Sequence, residues 1–398
     1  GSYRRAKETL HDLDFLVATK HPAELTTYFT QLPEAHEIIA RGDTKAAIRL
    51  ENGLQCDLRA VSNEQFPFAL QYFTGSKEHN VALRSLAQKK HLSLNEYGFT
   101  PTREDPPVEL PDIHEEADIY AHLGLDPIPP ELRENRGEIE AADAGQLPTL
   151  LTRDKLRGTF HNHTTASDGA HTLEEMAQAA IDLGLTYLGI ADHSKASFQA
   201  NGLDEERLLA QIADIKKLNT RYQDSGFQLL TGTEVDILKD GSLDFPDELL
   251  AQLDYSVASV HNAFTLSEKD MTARLIRAME NEHVTILGHA TGRLLLRREP
   301  YALNLQKIID CAAETRTVIE LNASPSRLDM DWRWWKRAAD QGVLCAINPD
   351  AHHTEQLQYL HFGVLQARKG WLTKAQVLNT RPLPDILTFL QTPKHQRQ

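Results

Sequence analysis

Short apolar runs alternate with longer stretches of helical periodicity along the chain, and the runs fall into two groups. Near the start, HDLDFLVAT alternates polar and apolar positions with a period of two. That predicts a half-buried strand with Asp12 and Asp14 on one face. LQCDLRAVS predicts a second strand and carries Asp57. Gln65 to His91 reads as helix, interrupted at Thr74-Gly75-Ser76. From Pro101 to about Gln146 the prolines, acids and short helical pieces predict an ordered linker, in which EADIYAHLGL forms one helix and IPPELREN begins another after its prolines.

The second group lies between Arg157 and His352. Its seven runs are GTFHNH, YLGIADHS, QLLTGTEVD, YSVASVH, VTILGHA, VIELNAS and LCAINPDAHH. Helical stretches such as TLEEMAQAAIDLGL separate several of them. Strands alternating with helices, with chemistry gathered at the strand C-termini, predict a βα barrel.

Composition changes this picture little. A chain of 398 residues suits two or three domains, and 41% hydrophobic with 25% charged residues is ordinary for a globular protein. No apolar run approaches the roughly 20 residues that cross a bilayer. Cys56, Cys311 and Cys345 show no paired spacing, which argues against a disulfide framework or a zinc ribbon and fits a reducing cytosol. A net charge of −15 weighs against coating nucleic acid by bulk charge, although bound divalent cations reverse the field locally. Charge is uneven: Arg4, Arg5, Lys7 and Lys20 cluster early, while Glu104 to Glu140 is acidic. The chain opens on Gly1, not Met, as a fragment or a cloning remnant would, so a missing signal peptide is uninformative.

The run ends supply His161, His163, Asp168, His193, Glu234, His261, His289, Asn322, Asp350 and His352. A lone His at a strand end is usually packed or solvated, but donors at nearly every end predict a polynuclear metal site. His161 and His163 flank one residue, so both imidazoles point the same way. Imidazole and carboxylate donors suit Zn, Mn or Fe, and the lack of thiolate weighs against a structural zinc. Glu234 is central enough to bridge two ions, and two ions roughly 3.5–4 Å apart clamp a phosphate and activate water. Arg293, just past a donor in HATGRLL, is a candidate phosphate contact or else a surface Arg. Asp12, Asp14 and Asp57 offer only oxygen, which favours Mg²⁺ or Mn²⁺ and in-line phosphoryl transfer. Alone, that DxD spacing is weak, because solvated strand ends carry it often.

HNH, ADHS, GTEVD, ASVH, LGHA and NPDAH resemble the successive motifs of the PHP (polymerase and histidinol phosphatase) superfamily. The resemblance implies a distorted seven-stranded (β/α) barrel holding three divalent metals (Mn²⁺, Zn²⁺ or Fe²⁺). It implies His161, His163, Glu234 and Asp350 on one metal, Glu234, His261 and His289 on the second, and Asp168, His193 and His352 on the third. Asn322 matches no donor position and reads as structural; His171, His283, His353 and His361 read as solvated. GSYRRAKETLHDLD resembles the nucleotide-binding opening of the palm in family X DNA polymerases, the group that includes DNA polymerase beta. That implies triphosphate contacts from Ser2 and Arg5, and catalytic Mg²⁺ or Mn²⁺ on Asp12, Asp14 and Asp57. QYFTGSKEHNVALR resembles the family's sugar- and base-checking segment, with Tyr72, Phe73 and Gly75 at the sugar and Asn80 and Arg84 at minor-groove edges. NEYGF resembles the end of the thumb, and LGLDPIPPELRENRGEIEAA the connector to a PHP domain. His11 stands where the family usually has Gly.

Together these resemblances imply an α/β chain of partial polymerase-beta-like palm (1–62), thumb (63–105), linker (106–152) and PHP barrel (153–398). It would begin inside the palm, without the lyase-like and fingers domains. The implied function is a bacterial DNA repair polymerase with a metal-dependent 3′–5′ exonuclease, Mn²⁺ preferred, and the nuclease is the activity expected to survive in this chain. Implied partners are primer–template, gapped or 3′-end DNA and deoxynucleoside triphosphates, with a monomer in the cytoplasm, associated with the nucleoid. The alternatives are a small-molecule phosphatase of the histidinol phosphate type and an inactive metal-stabilised DNA-binding module.

Overall fold

The computed structural model describes residues 1–103 and 110–397. The chain divides into two compact units, Gly1–Pro148 and Thr149–Gln398. The start of the expected linker, at 106–109, lies outside the described residues.

In the first unit, β1 (Asp12–Ala18), β2 (Ala35–Arg41), β3 (Lys45–Leu50) and β4 (Gln55–Val61) form a sheet in the order β1-β4-β3-β2. β1 and β4 are parallel and put Asp14 directly opposite Asp57. Alternation sends Leu13, Cys56 and Leu58 to a core with Phe29, Ala46 and Ile48, and the aspartates to the other face. The β2–β3 hairpin had no counterpart in the strand pattern. Its edge strand leaves Ile38 and Ile39 largely exposed, which blurs the alternation that marks a strand.

The expected helical stretch is two helices, Phe66–Thr74 and Lys77–Lys89. Gly75 between them has φ +74°, and a Cβ there would sit 2.9 Å from the Arg5 guanidinium, so the turn requires glycine. Ser76 starts the second helix by accepting from the His79 N–H. A hairpin of β5 (Leu92–Asn95) and β6 (Gly98–Pro101) follows.

EADIYAHLGL forms the helix Glu116–Leu123, opened by a reciprocal Glu115–Asp118 cap. IPPELREN does not begin a helix. It makes only a single turn, Pro130–Leu132, and the next helix is Glu138–Asp143. Positive φ at Asn135 and Gly137 separates the two. This stretch packs on the helices before it: Glu138 meets buried His79 at 2.7 Å, and Glu116 pairs with both Arg4 and Arg133.

The second unit contains β7 (Gly158–Thr159), β8 (Tyr187–Gly189), β9 (Gln228–Leu230), β10 (Glu234–Asp236), β11 (Val257–Ser259), β12 (Ile286–Leu287), β13 (Val318–Asn322) and β14 (Cys345–Asn348). Each of the seven runs carries a strand, and QLLTGTEVD carries two. All pairings are parallel, in the orders β7-β8-β9 and β10-β11-β12-β13-β14. Parallel bridges His193–Glu234 and Asn162–Ala351 join the two sets at both edges, as a distorted barrel requires. Helices such as Leu173–Asp182, capped by Thr172 and Glu175, connect the strands. The strands are buried, and Phe160, Tyr187, Tyr255, Val257, Ile286 and Val318 from successive strands pack in one cluster. No helix among the described residues is long and apolar enough to cross a membrane.

Candidate metal centres

The nine donor side chains expected in the second unit come together at the C-terminal ends of its strands. His161, His163 and Asp168 follow β7, and His193 follows β8. Glu234 opens β10, His261 and His289 follow β11 and β12, and Asp350 and His352 follow β14. Three groups have donor atoms within 4.8 Å of one another: His163, Asp168, His193 and His352; His161, His163 and Asp350; and His193, Glu234 and His261. Two histidines are shared, so the donors form one connected set. His289 joins through Glu234, its Nε2 lying 2.9 Å from Oε1. Asp350 has φ +54°, a conformation that costs a non-glycine residue roughly 1 kcal/mol. The Asn322 amide, donating to its Oδ2 at 3.0 Å, helps hold it there.

Several of the donors rest on an outer partner. Glu320 Oε2 takes the Nδ1 side of His161 at 2.7 Å, and Asp236 takes His261 Nδ1 at 3.0 Å. Asn322 and Asn348 in turn donate to Glu320. Asp192 accepts from Thr164, Ser167 and Gln211 and braces the loop that carries Asp168. Such partners fix ring orientation and aim the opposite nitrogen inward. None of Glu320, Asp236 and Asp192 was picked out from the sequence. The signal was there, since a carboxylate inside a fully buried strand run needs partners.

Electrostatics follow the crowding. Burial resists charge on His161, but Glu320, Glu234 and Asp350 outweigh it and hold the imidazole well above its ordinary pKa. Burial likewise opposes ionisation of Glu234 and Asp350, yet the surrounding histidines keep both well below the usual carboxylate range. His163 is the reverse: burial, then repulsion from His352 and His193, pushes it down to about 4. His161 Nε2, both nitrogens of His163, His193 Nδ1 and Glu234 Oε2 are buried and make no well-directed hydrogen bond, although His193 Nδ1 lies 2.8 Å from Glu234 Oε2. Buried lone pairs left unpaired in one place are costly, and a divalent cation satisfies them. The donor set therefore fits bound metal.

Seven of the nine donors, all but His161 and His163, line a cavity of about 400 Å³ that also includes Ser197, Phe198, Asn262 and Arg327. Arg293 does not line it. Arg293 is 7% exposed, and its guanidinium donates to the Arg327 and Leu328 carbonyls and pairs with Asp331 at 2.9 Å. Nearness to His289 in sequence was misleading, because the chain turns Arg293 inward to brace the loop that presents Arg327. Arg327 lies 3.5 Å from Asp350 and is the cation on the cavity wall. His171, His283, His353 and His361 stay outside the set; His171 and His353 pack edge-on at 4.2 Å.

In the first unit, Asp12 and Asp14 are exposed and Asp57 is half-buried, its Oδ2 accepting from Gln55 at 2.9 Å. Tyr72 and Phe73 are half-buried with rings 5.1 Å apart, and Arg59 lies over Phe73. Half-buried Ser2 sits in the opening turn, its carbonyl accepting from Lys7 N–H. Arg5 donates to the Thr74 carbonyl and to Glu134. Asn80 is 8% exposed and spends its amide on Gln71 and the Tyr72 carbonyl. Of the two side chains expected at base edges, only Arg84 is exposed.

A polymerase-type first unit followed by a strand-end, histidine-rich barrel defines a two-domain class, and comparison with known proteins agrees. The DNA polymerase beta thumb matches residues 69–134, which reaches past residue 105 into the stretch expected as linker, and the PHP domain, a divalent-metal-binding phosphoesterase fold, matches residues 159–324. A DNA polymerase/3′-5′ exonuclease PolX of Bacillus subtilis (strain 168) is 42% identical over 394 residues, covering 98% of this chain and 68% of that protein. The chain belongs to the PolX family. A probable phosphatase of Thermoanaerobacter sp. (strain X514) is 28% identical over 231 residues, 55% of this chain and 89% of its own. A probable phosphatase of Acetivibrio thermocellus is 31% identical over 168 residues, 41% of this chain and 63% of its own.

Proposed function

We propose that this PolX-type polymerase shortens DNA 3′ ends with its second unit. The observation that carries the reading is the connected set of nine donors, all but Asp168 buried or half-buried, with orphaned ring nitrogens, opening into a cavity walled by Arg327. His161, His163, Glu234 and Asp350 would hold one divalent metal, Glu234, His261 and His289 a second, and Asp168, His193 and His352 a third, with Mn²⁺ preferred. Bound there, the metals supply Lewis acidity toward a phosphodiester and an activated water. Glu320 and Asp236 hold imidazole orientation, and Arg327 binds the non-bridging phosphate oxygens. The B. subtilis relative carries both activities in its name, and that supports the same pairing here.

Residues 1–62 would act as a palm, with Mg²⁺ or Mn²⁺ on Asp12, Asp14 and Asp57, a triphosphate on Ser2 and Arg5, and the incoming sugar against Tyr72, Phe73 and Gly75. Arg84 would reach the base edge. Residues 63–105 serve as thumb and 106–152 as connector to the barrel at 153–398. The enzyme acts in the cytoplasm at the nucleoid, as a monomer on gapped or 3′-ended DNA.

The test is incubation with Mn²⁺ and a 5′-labelled primer–template, with and without nucleotides, beside Asp350→Ala. We expect a ladder of shortened primers that vanishes in the variant. No shortening by folded, metal-loaded protein overturns the nuclease reading. The match to probable phosphatases favours a second reading, a small-molecule phosphatase, for which histidinol phosphate is the substrate to try.

A further inference from the structure

We propose that Phe198 is a nucleobase-stacking platform on the rim of the barrel's metal centre, seating the terminal base of a DNA strand. The proposal rests on the reading of this unit as a 3′-end nuclease and adds a subsite to it. Phe198 lines the same cavity of about 400 Å³ as Asp168, His193, Glu234 and Asp350, yet it is 76% exposed. A lone exposed apolar side chain is ordinary. Position, anchoring and surroundings separate this one from the ordinary case.

The two most exposed large apolar side chains described in the second unit are Phe198 and Leu296, at 76% and 91%. Both sit on loops at the metal-bearing ends of strands, Phe198 after His193 and Leu296 after His289. The two largest such exposures thus lie on the metal-bearing side of the unit.

The loop holding Phe198 is pinned along its length. Ala196 N–H donates to Asp244 at 2.7 Å, and the Ser197 hydroxyl donates to Asp236 at 2.7 Å, the same carboxylate that orients His261. A single turn spans Phe198–Ala200, closed by Asn201 N–H on the Phe198 carbonyl. Arg207 then clamps the carbonyls of Ala166, Asn201 and Gly202. Gly202 lies so close to Ser194 that a Cβ would overlap its carbonyl oxygen. An aromatic ring on so constrained a turn loses little further freedom when a flat ligand stacks on it.

The surroundings fit one nucleotide. Arg327, on the cavity wall, suits a phosphate, and Gln199 and Asn262 offer amides at the edge. The volume is in the range of a small-ligand site. Every base has a π face, so a stacking platform tolerates any terminal nucleotide, as an enzyme that trims ends without regard to sequence requires.

The experiment uses the full chain loaded with Zn²⁺ and an oligonucleotide ending in 3′-terminal 2-aminopurine, joined through a phosphorothioate that resists cleavage. Stacking quenches the fluorescent base. We expect quenching by the wild type, loss of quenching with about a tenfold weaker Kd for Phe198→Ala, and retention of both by Phe198→Trp. Binding without quenching, no binding by the wild type, or undiminished quenching by Phe198→Ala overturns the platform. Cleavage of an ordinary primer is scored in parallel. Quenching without shortening refutes the nuclease and keeps the platform; shortening without quenching does the opposite.

Discussion

The two regions proposed to bind metal are built on opposite terms. In the barrel, every donor but Asp168 is buried or half-buried, the set is crowded within a few ångströms, and it is supported from behind by Glu320, Asp236 and Asp192. In the first unit, Asp12 and Asp14 stand exposed on an open sheet face, and the contact seen for Asp57 is to its neighbour Gln55. A centre assembled by folding pays its desolvation in advance and binds metal strongly; carboxylates on an open face await ions that arrive with a substrate. The barrel centre is part of the fold, and the sheet-face carboxylates are decoration on it.

The largest effect should come from the bridging donor. Glu234 meets His193, His261 and His289 within 3.2 Å, so Glu234→Gln removes a charge that several groups share. Primer shortening should fall by at least about 10³-fold. A residual rate within tenfold of wild type would mean that the buried set is not the reaction centre.

Next in size is the outer layer. Glu320→Gln leaves His161 facing an amide in place of a carboxylate, with Asn322, Asn348 and the His289 N–H regrouping around it. Metal affinity should drop roughly 10–100-fold, read by competition with a chelating dye, and activity should return at raised Mn²⁺. An unchanged affinity would place Glu320 in the fold alone.

That outer layer also marks where the sequence stopped being legible. Donors at strand ends are conspicuous because each closes an apolar run, and motif resemblance supplied the rest. Glu320 sits inside VIELNAS, where a fully buried strand gives no alternation to mark its role and only its charge within an apolar run points to it. Arg327 sits in a loop whose path only the fold decides, so Arg293, four residues past His289, looked the better phosphate partner. The β2–β3 hairpin was illegible for the opposite reason: an exposed edge strand mixes polar and apolar positions without a clear period. IPPELREN has helix-start prolines, but the left-handed backbone at Asn135 and Gly137 sets the true start at Glu138.

A smaller effect separates the regions by pH. Burial resists charge on His261, but Glu234 and Asp236 overcome it and push the imidazole up to about 10; Asp168 and Asp350 do the same for His352, to about 9. Both folded values lie above the unfolded value of about 6.5. In metal-free protein their contribution is therefore complete below that pH and is lost as pH climbs through 9 to 10. Metal requires the same rings deprotonated, so the loaded protein gains affinity as pH rises. The difference in Tm between Zn²⁺-loaded and EDTA-treated chain should widen from pH 6.5 to 9, by roughly 5–10 °C once metal exceeds its Kd a hundredfold. A constant gap would mean that the histidines carry no proton in the metal-free state.

The smallest effect is the most discriminating. Asp14→Asn removes one of two carboxylates that face each other in register across β1 and β4. Its ion pair with the Gly1 amino group, at 3.5 Å and partly exposed, offers little to lose. Like charges opposed across a strand pair destabilise it, so stability should stay within about 0.5 kcal/mol of wild type or rise slightly. Circular-dichroism melting of the EDTA-treated chain reads this without interference from the barrel's metals. A loss above about 1 kcal/mol would show that Asp14 holds the sheet together. The contrast between a centre that belongs to the fold and one carried on its surface would then fail at its simplest point.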